Sequence, residues 1–218
     1  MVDIKVGMTD CNADRNIREI WIKNLMVRFT TNISKETEGA ILTPIIFFQE
    51  AIGCYQNGNF VACISMCGAS VESLLVELLL YNYKKTIKDS SGSSFAWSYE
   101  QEFKDGKFRD YLREFVSSDK NRFKRRKDII KKLRHDKRLD KIISEKITTI
   151  LDQRDQVMHY SENTWRRFFE NAGKFTISES FFWPFNESQA KCILESSLDA
   201  LSYASTKFMI IAQRATNI

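Results

Sequence analysis

Two histidines occur in 218 residues, and one of them, His159, closes the run Arg154-Asp155-Gln156-Val157-Met158-His159. Imidazole is the side chain that most readily exchanges protons near neutral pH, so an enzymatic reading of the chain passes through that segment. On a helix, Asp155 and His159 stand four residues apart on one face. The carboxylate can then hold one ring nitrogen while the other faces outward as a base. Arg154 lies about 140° from His159 around an ideal helix. It joins the histidine if the helix ends or loosens near His159, or if a second subunit brings its own copy of the motif across. A planar guanidinium matches phosphate oxygens and steadies the extra charge of a transition state. Together these groups suit cleavage of RNA without a metal, a base assisting attack of the ribose 2′-hydroxyl on the adjacent phosphate. The same interval also arises in helices that do no chemistry, and that reading stays open beside the catalytic one.

Glu72 is the next candidate, because it sits in the most apolar stretch of the chain and a carboxylate there needs a partner. It reads either as a structural hydrogen-bond partner or as a group that faces the site and holds Arg154 or His159. The basic character is local: Lys120 to Lys141 carries twelve Lys or Arg and three Asp, a net +9 against +5 for the whole chain. Such density attracts a polyanion, RNA foremost. Lys124, Arg125, Arg126, Lys131, Lys132 and Arg134 are the candidate contacts, with a solvated lysine face as the alternative. His135 reads as a surface side chain or a phosphate contact. The chain has no glycine-rich phosphate loop and no acidic cluster at metal-binding spacing, which argues against ATPase, kinase and metal-dependent nuclease chemistry. No cofactor or metal is expected, and Cys63 and Cys67 have no histidine nearby to complete a zinc site.

The elements that must position these groups read as helices. Hydrophobic residues make up 43% of the chain, and only two prolines and eight glycines interrupt it, which favours long helices over a turn-rich β fold. Residues 14–29 form an amphipathic helix through Ile17, Ile20, Trp21 and Leu25, and Thr30 to Gly39 reads as a loop. Thr43-Pro44 has the form of a helix start, with threonine as N-cap. Asn57-Gly58-Asn59 ends that helix. The next runs from Phe60 to about Lys85; its small residues (Ala62, Cys63, Ser65, Cys67, Gly68, Ala69, Ser70) allow close approach of another helix and mark it as central. Glu77 suits a wetter edge of it. Asp89 to Ser94 reads as a polar link, and 95–138 as an insertion with an aromatic part, Phe95 to Tyr111, followed by the basic run. Ile129, Ile130, Leu133 and Leu139 predict a helix or helical hairpin there. A helix follows from Leu139 to about His159, then a short helix or turn at Trp165, Phe168 and Phe169, and an irregular segment or small hairpin over Lys174 to Phe185. Asn186 and Gln189 have capping-box spacing, and the last helix is expected to bury Cys192, Ile193, Leu198, Leu201, Phe208 and Ile211. The whole is an all-α single domain over 1–218. No apolar run approaches a membrane span, the N-terminus does not read as a signal peptide, and five cysteines, odd in number, suit reduced thiols in the cytoplasm.

Arg154-Asp155-Gln156-Val157-Met158-His159 resembles the Arg-polar-x-x-x-His signature of the HEPN superfamily (higher eukaryotes and prokaryotes nucleotide-binding domains). The turn Tyr55-Gln56-Asn57-Gly58-Asn59-Phe60-Val61-Ala62, leading into Gly68-Ala69-Ser70-Val71-Glu72-Ser73-Leu74-Leu75, is similar to the first hairpin of prokaryotic members. The likeness covers roughly 41–85 and 139–211. It implies an antiparallel four- to five-helix bundle with 95–138 inserted, and a metal-independent endoribonuclease of toxin, phage-defence or RNA-processing type. It also implies a homodimer whose two motifs form one composite site. Arg154 and His159 would be the catalytic pair, Asp155 the supporting polar residue and Glu72 a helper. Asp155 stands where many active members carry asparagine. The insertion would be a substrate arm or a docking surface for a cognate inhibitor protein. Other members bind nucleotides or partners without cutting, which implies the alternative of a non-catalytic module in a toxin–antitoxin or phage-defence complex.

Overall fold

The structure, a computed structural model, describes residues 11–88, 95–99, 122–159 and 186–216. Its centre is helix α4 (Phe60–Leu79), started by Asn59, whose side chain accepts from Ala62 N. Helix α3 (Leu42–Gln56) precedes it, and the two are joined by a tight turn in which Gly58 takes φ +74°, a conformation that glycine adopts at little cost. The remaining long helices are α1 (Cys11–Asn32), α5 (Arg122–His135), α6 (Lys141–Met158) and α7 (Glu187–Thr216). Among the described residues a four-residue helix, α2 (Lys35–Glu38), completes the set. The fold is all-α, with one short antiparallel pair beside the bundle: β1 (Lys84–Lys88) on β2 (Phe95–Tyr99), in register from Lys84↔Tyr99 to Lys88↔Phe95.

Helices α3, α4, α6 and α7 enclose one core, in which Phe48, Tyr55, Ile64, Leu74, Leu78, Ile147, Ile150, Leu194 and Phe208 are fully buried. α4 is long and apolar enough to cross a membrane, with a mean hydropathy of 1.6, which corrects the expectation that no apolar run approaches that length. Its apolar residues Cys63, Ile64, Cys67, Val71, Leu74 and Leu78 lie in this core, so its hydropathy follows from its central position.

Several local expectations differ from the structure. The polar stretch Thr30 to Gly39 is helical for most of its length, because the Thr30 and Thr31 hydroxyls donate to carbonyls at Met26 and Val27 in the preceding turn. Ser34 then caps α2 by accepting from Glu36 N. Thr43 is no N-cap; a 3-10 turn over Gly39–Ile41 runs straight into α3, and Pro44 sits in the first turn, where its missing N–H costs no helical bond. Ile17 and Ile20 are 58% and 62% exposed, while α1 meets the bundle through Leu25 and Phe29. Arg18 Nε bonds the last turn of α3 at Gln56 O (3.2 Å) and Trp21 packs on Tyr55 with ring centroids 5.0 Å apart, so the face of α1 turned to the bundle carries Arg18, Trp21, Leu25 and Phe29, and Ile17 and Ile20 lie off it. α4 stops at Leu79 and passes through a 3-10 turn into β1. Its last carbonyls, of Leu78 and Leu79, accept from Arg138 Nη1 at 3.2 and 2.9 Å, a side-chain cap from outside the helix. Cys192 is exposed rather than buried. Ile193, Leu198, Leu201 and Phe208 are buried, and the expected capping box is present in both directions, Asn186 N to Gln189 Oε1 and Gln189 N to Asn186 Oδ1. The expectations at 89–94, 100–111, 165–169 and 174–185, and the side chain of Ile211, lie outside the described residues.

Candidate active site on the motif helix

The motif is carried by the last turns of α6. Asp140 starts this helix by accepting from Ile143 N at 2.8 Å, and Ile147, Ile150 and Leu151 hold it against α4 and α7. It runs antiparallel to α4: Arg138, just before α6, reaches the C-terminal end of α4, and Arg154 reaches its middle. The helix ends at Met158. His159 is its C-cap, with φ −107° and ψ 16°, and its N–H is bonded to the carbonyls of Asp155 and Val157. The helix therefore stops at the histidine, one of the two conditions under which the arginine and histidine of such a motif can serve one site. His159 is exposed.

Arg154 points into the bundle. Its aliphatic stem lies across the backbone of α4 at Gly68, so closely that a Cβ there would stand 2.5, 2.7 and 2.8 Å from Arg154 Cδ, Cγ and Cβ. Its Nη1 lies 2.7 Å from Glu72 Oε1, and Glu72 is four residues, one helical turn, beyond Gly68. Gly68 and Glu72 thus form the floor and the end of one groove for this side chain. The small-residue half of α4 had marked a close approach without showing which side chain makes it.

A second arginine joins the cluster. Arg126 of α5 donates from Nη1 to both oxygens of Asp155, at 3.1 and 3.0 Å, and its Nη2 pairs with the same Glu72 oxygen that Arg154 meets. The side chains are 12% exposed at Arg126, 14% at Asp155, 17% at Arg154 and 24% at Glu72. Two guanidiniums and two carboxylates from three helices thus neutralise one another in a partly dry environment, where such pairing counts for more than at the surface. Among the described residues no ion pair or hydrogen bond joins Arg154 to His159, and the Asp155 carboxylate is engaged by Arg126.

This resolves the basic run into two sets. Arg126 and Arg138 turn inward, the first to the cluster and the second to the end of α4. Arg126 was expected among the surface contacts for RNA. It lies instead on the buried face of α5 with Ile130 and Leu133, four and seven residues on, and that periodicity was present in the sequence. Lys127, Lys131, Lys132 and Arg134 are exposed; Lys127, Lys131 and Arg134 recur at intervals of four and three, so they share one outer face. Lys124 and Arg125 belong to α5, and their side chains lie outside the described residues. His135 is exposed and sits 3.2 Å from Asp136 Oδ1, at the far end of the hairpin from His159; α6 spans about 27 Å between them. Asp136 is held below the usual carboxylate range by the hydrogen bond from His135, then by Lys132 and Arg138.

The cysteines are free thiols at Cys54, Cys63, Cys67 and Cys192. Contact with Cys67 and burial push the Cys63 thiol far up, so it is inert near neutral pH. Among the described residues no group of three or more His, Cys, Asp or Glu could hold a metal ion. A cleft of about 400 Å³ between the end of α1 and the last turns of α7 is lined by Thr31, Ser34, Lys35, Ser205, Met209 and Gln213 among others, and none of the motif residues borders it. Comparison of the chain with known protein families, with curated proteins and with solved structures finds no match, so the chemistry assigned to the motif rests on its own residues and their placement.

Proposed function

We propose that this chain is a metal-independent endoribonuclease of the HEPN type, with His159 as general acid/base and Arg154 as the cation that stabilises the phosphate, acting in the cytoplasm. The observation that carries this reading is the placement of the motif at the end of a helix. Arg154 is anchored by Glu72 at 2.7 Å, His159 caps the helix and is exposed, and the outer face of α5 presents Lys127, Lys131 and Arg134. In this mechanism an imidazole takes the proton from a ribose 2′-hydroxyl, the 2′-oxygen attacks phosphorus, and the 5′-oxygen leaves with a proton. The products are a 2′,3′-cyclic phosphate and a 5′-hydroxyl. Arg154 stabilises the charge that builds on the phosphoryl oxygens. One imidazole does not accept and donate a proton in the same step, and His135 lies at the other end of the hairpin. A homodimer that brings two copies of His159 to one phosphate supplies both roles. The test is RNA cleavage in EDTA by wild type, Arg154→Ala and His159→Ala. Loss of cutting in both variants, with helicity and oligomeric state retained, supports the assignment; cutting by His159→Ala overturns it.

One observation favours a second reading. Among the described residues the cluster holds two carboxylates and two guanidiniums, and each carboxylate is already paired with an arginine, as in a structural network that makes no use of substrate. On that reading the chain is a non-catalytic HEPN module in a toxin–antitoxin or phage-defence complex. The exposed cations of α5 then serve a cognate inhibitor protein or an RNA that is bound and not cut. Its signature is RNA or partner affinity that falls when Lys131, Lys132 and Arg134 are neutralised and is indifferent to His159→Ala.

A further inference from the structure

We propose that Arg126 is a positioning residue of the motif: it fixes the Asp155 carboxylate and, through the shared Glu72 oxygen, the guanidinium of Arg154. The positioning follows from the geometry; its catalytic consequence rests on the endoribonuclease reading. One planar group makes two different connections. Nη1 meets both Asp155 oxygens at 3.1 and 3.0 Å, and Nη2 meets Glu72, so α4 and α6 are tied through a residue of α5. The group is held on a firm support, because Ile130 and Leu133 of the same helix face are buried in the core. A guanidinium fork can serve two carboxylates at once, whereas a lysine ammonium is a single point of charge.

Charge and geometry give the contact its function. Removing Arg126 leaves, among the described residues of the cluster, the carboxylates of Glu72 and Asp155 to the one guanidinium of Arg154, and a phosphate approaching that place meets more negative charge than before. Asp155 would also be released one turn before His159, free to turn to the imidazole. Arg126 therefore decides which partner Asp155 takes, and it keeps Glu72 from being the sole property of Arg154. The basic helix, which the sequence presents as an outer arm, contributes a member of the motif cluster.

The experiment compares wild type with Arg126→Gln, Arg126→Lys, Arg126→Gly, Asp155→Asn and the Arg126→Gln/Asp155→Asn pair. It has two readouts: steady-state cleavage of a short RNA in EDTA, and the Nε–Hε signal of Arg154 in ¹⁵N-labelled protein. If wild type cuts RNA, Arg126→Gln lowers kcat about 10- to 100-fold with a smaller change in KM, the cost of a misplaced catalytic group. Arg126→Lys does not restore it, added guanidinium ion partly restores Arg126→Gly, and the double variant is no worse than the poorer single. An unchanged kcat, a change confined to KM, or full activity in Arg126→Lys overturns the proposal. If wild type cuts no RNA, the endoribonuclease reading fails by itself, and the spectrum decides the positioning. The Arg154 signal moves in Arg126→Gln and Arg126→Lys and stays in place in Lys141→Gln, an exposed control. An unmoved signal in the Arg126 variants overturns it. Melting curves check that each variant is folded, and Arg126→Lys keeps the charge if Arg126→Gln does not fold.

Discussion

Replacing Gly68 by alanine tests the packing on which the motif depends. The new Cβ would lie 2.5 Å from Arg154 Cδ and 2.8 Å from Arg154 Cβ, where carbon atoms prefer about 3.5–4.0 Å, so roughly 1 Å of separation must be found. The flexible end of the side chain cannot supply it all, because Arg154 Cβ is tied to the backbone of α6. Either Arg154 changes rotamer and leaves Glu72, or α6 moves off α4. Overpacking of this kind costs about 1–3 kcal/mol, and the better helix propensity of alanine returns about 1 kcal/mol. The net loss is about 0–2 kcal/mol, or up to roughly 8 °C in Tm for a chain of this size. Gly53→Ala is the internal control: it lies in α3 with nothing within 4 Å of its added Cβ, so only the propensity gain of up to about 1 kcal/mol applies. Denaturant unfolding of the two variants beside wild type, with the Arg154 Nε–Hε signal, gives the comparison. Cleavage by Gly68→Ala should fall about 100-fold if Arg154 is displaced by 1 Å. If Gly68→Ala stabilises the chain as much as Gly53→Ala and leaves the Arg154 signal in place, the groove as described is refuted.

The buried face of α5 is a working part of the core, so Leu133→Ala, at a fully buried position, should cost about 2–5 kcal/mol; a loss below 1 kcal/mol in urea unfolding would mark α5 as an appendage. Lys137 ends α5 with φ 56° while Arg138 N bonds back to Leu133 O at 2.9 Å, a left-handed position that favours glycine, and Lys137→Gly should raise stability by about 1 kcal/mol; a lowered midpoint would contradict it. Glu187 accepts from Tyr55 Oη at 2.8 Å and pairs with Lys191 at 2.9 Å. Its burial acts to raise its pKa, but Lys191, Tyr55 and Arg18 outweigh that and hold it below the ordinary value of 4.5. The stability it contributes is therefore present above pH 4.5 and lost as pH falls through its lower folded pKa. The difference in Tm between wild type and Glu187→Gln should be constant from pH 7 to about 5 and shrink in more acid solution; a gap that persists at the acid end would count against it.

What was legible in the sequence follows from where the signals lie. The Asn57-Gly58-Asn59 turn, the Asn186–Gln189 box and the apolar periodicity of α4 and α6 are local, and they appear in the structure where spacing put them. The end of α4 was not local: Arg138, some sixty residues on, caps Leu78 and Leu79. The helical Thr30–Asn32 segment was obscured because threonine reads as a loop residue until its hydroxyl finds a carbonyl one turn back. The pairing of Arg154 with Glu72 was among the readings open for that carboxylate, and the structure adopts it. The partner of Asp155 was missed, since helical spacing offers His159 and only tertiary packing offers Arg126. Reading Arg126 on the Ile130–Leu133 face, instead of counting it with the lysines, would have found it.

The central claim is tested most directly by the ends of the RNA fragments. A panel of tRNA, mRNA and short single-stranded RNA is incubated with wild type and with His159→Ala in EDTA, and the 3′ termini are analysed. The account expects wild-type fragments ending in 2′,3′-cyclic phosphate and intact RNA with His159→Ala. Intact RNA with both proteins, or the same fragments from both, would contradict it.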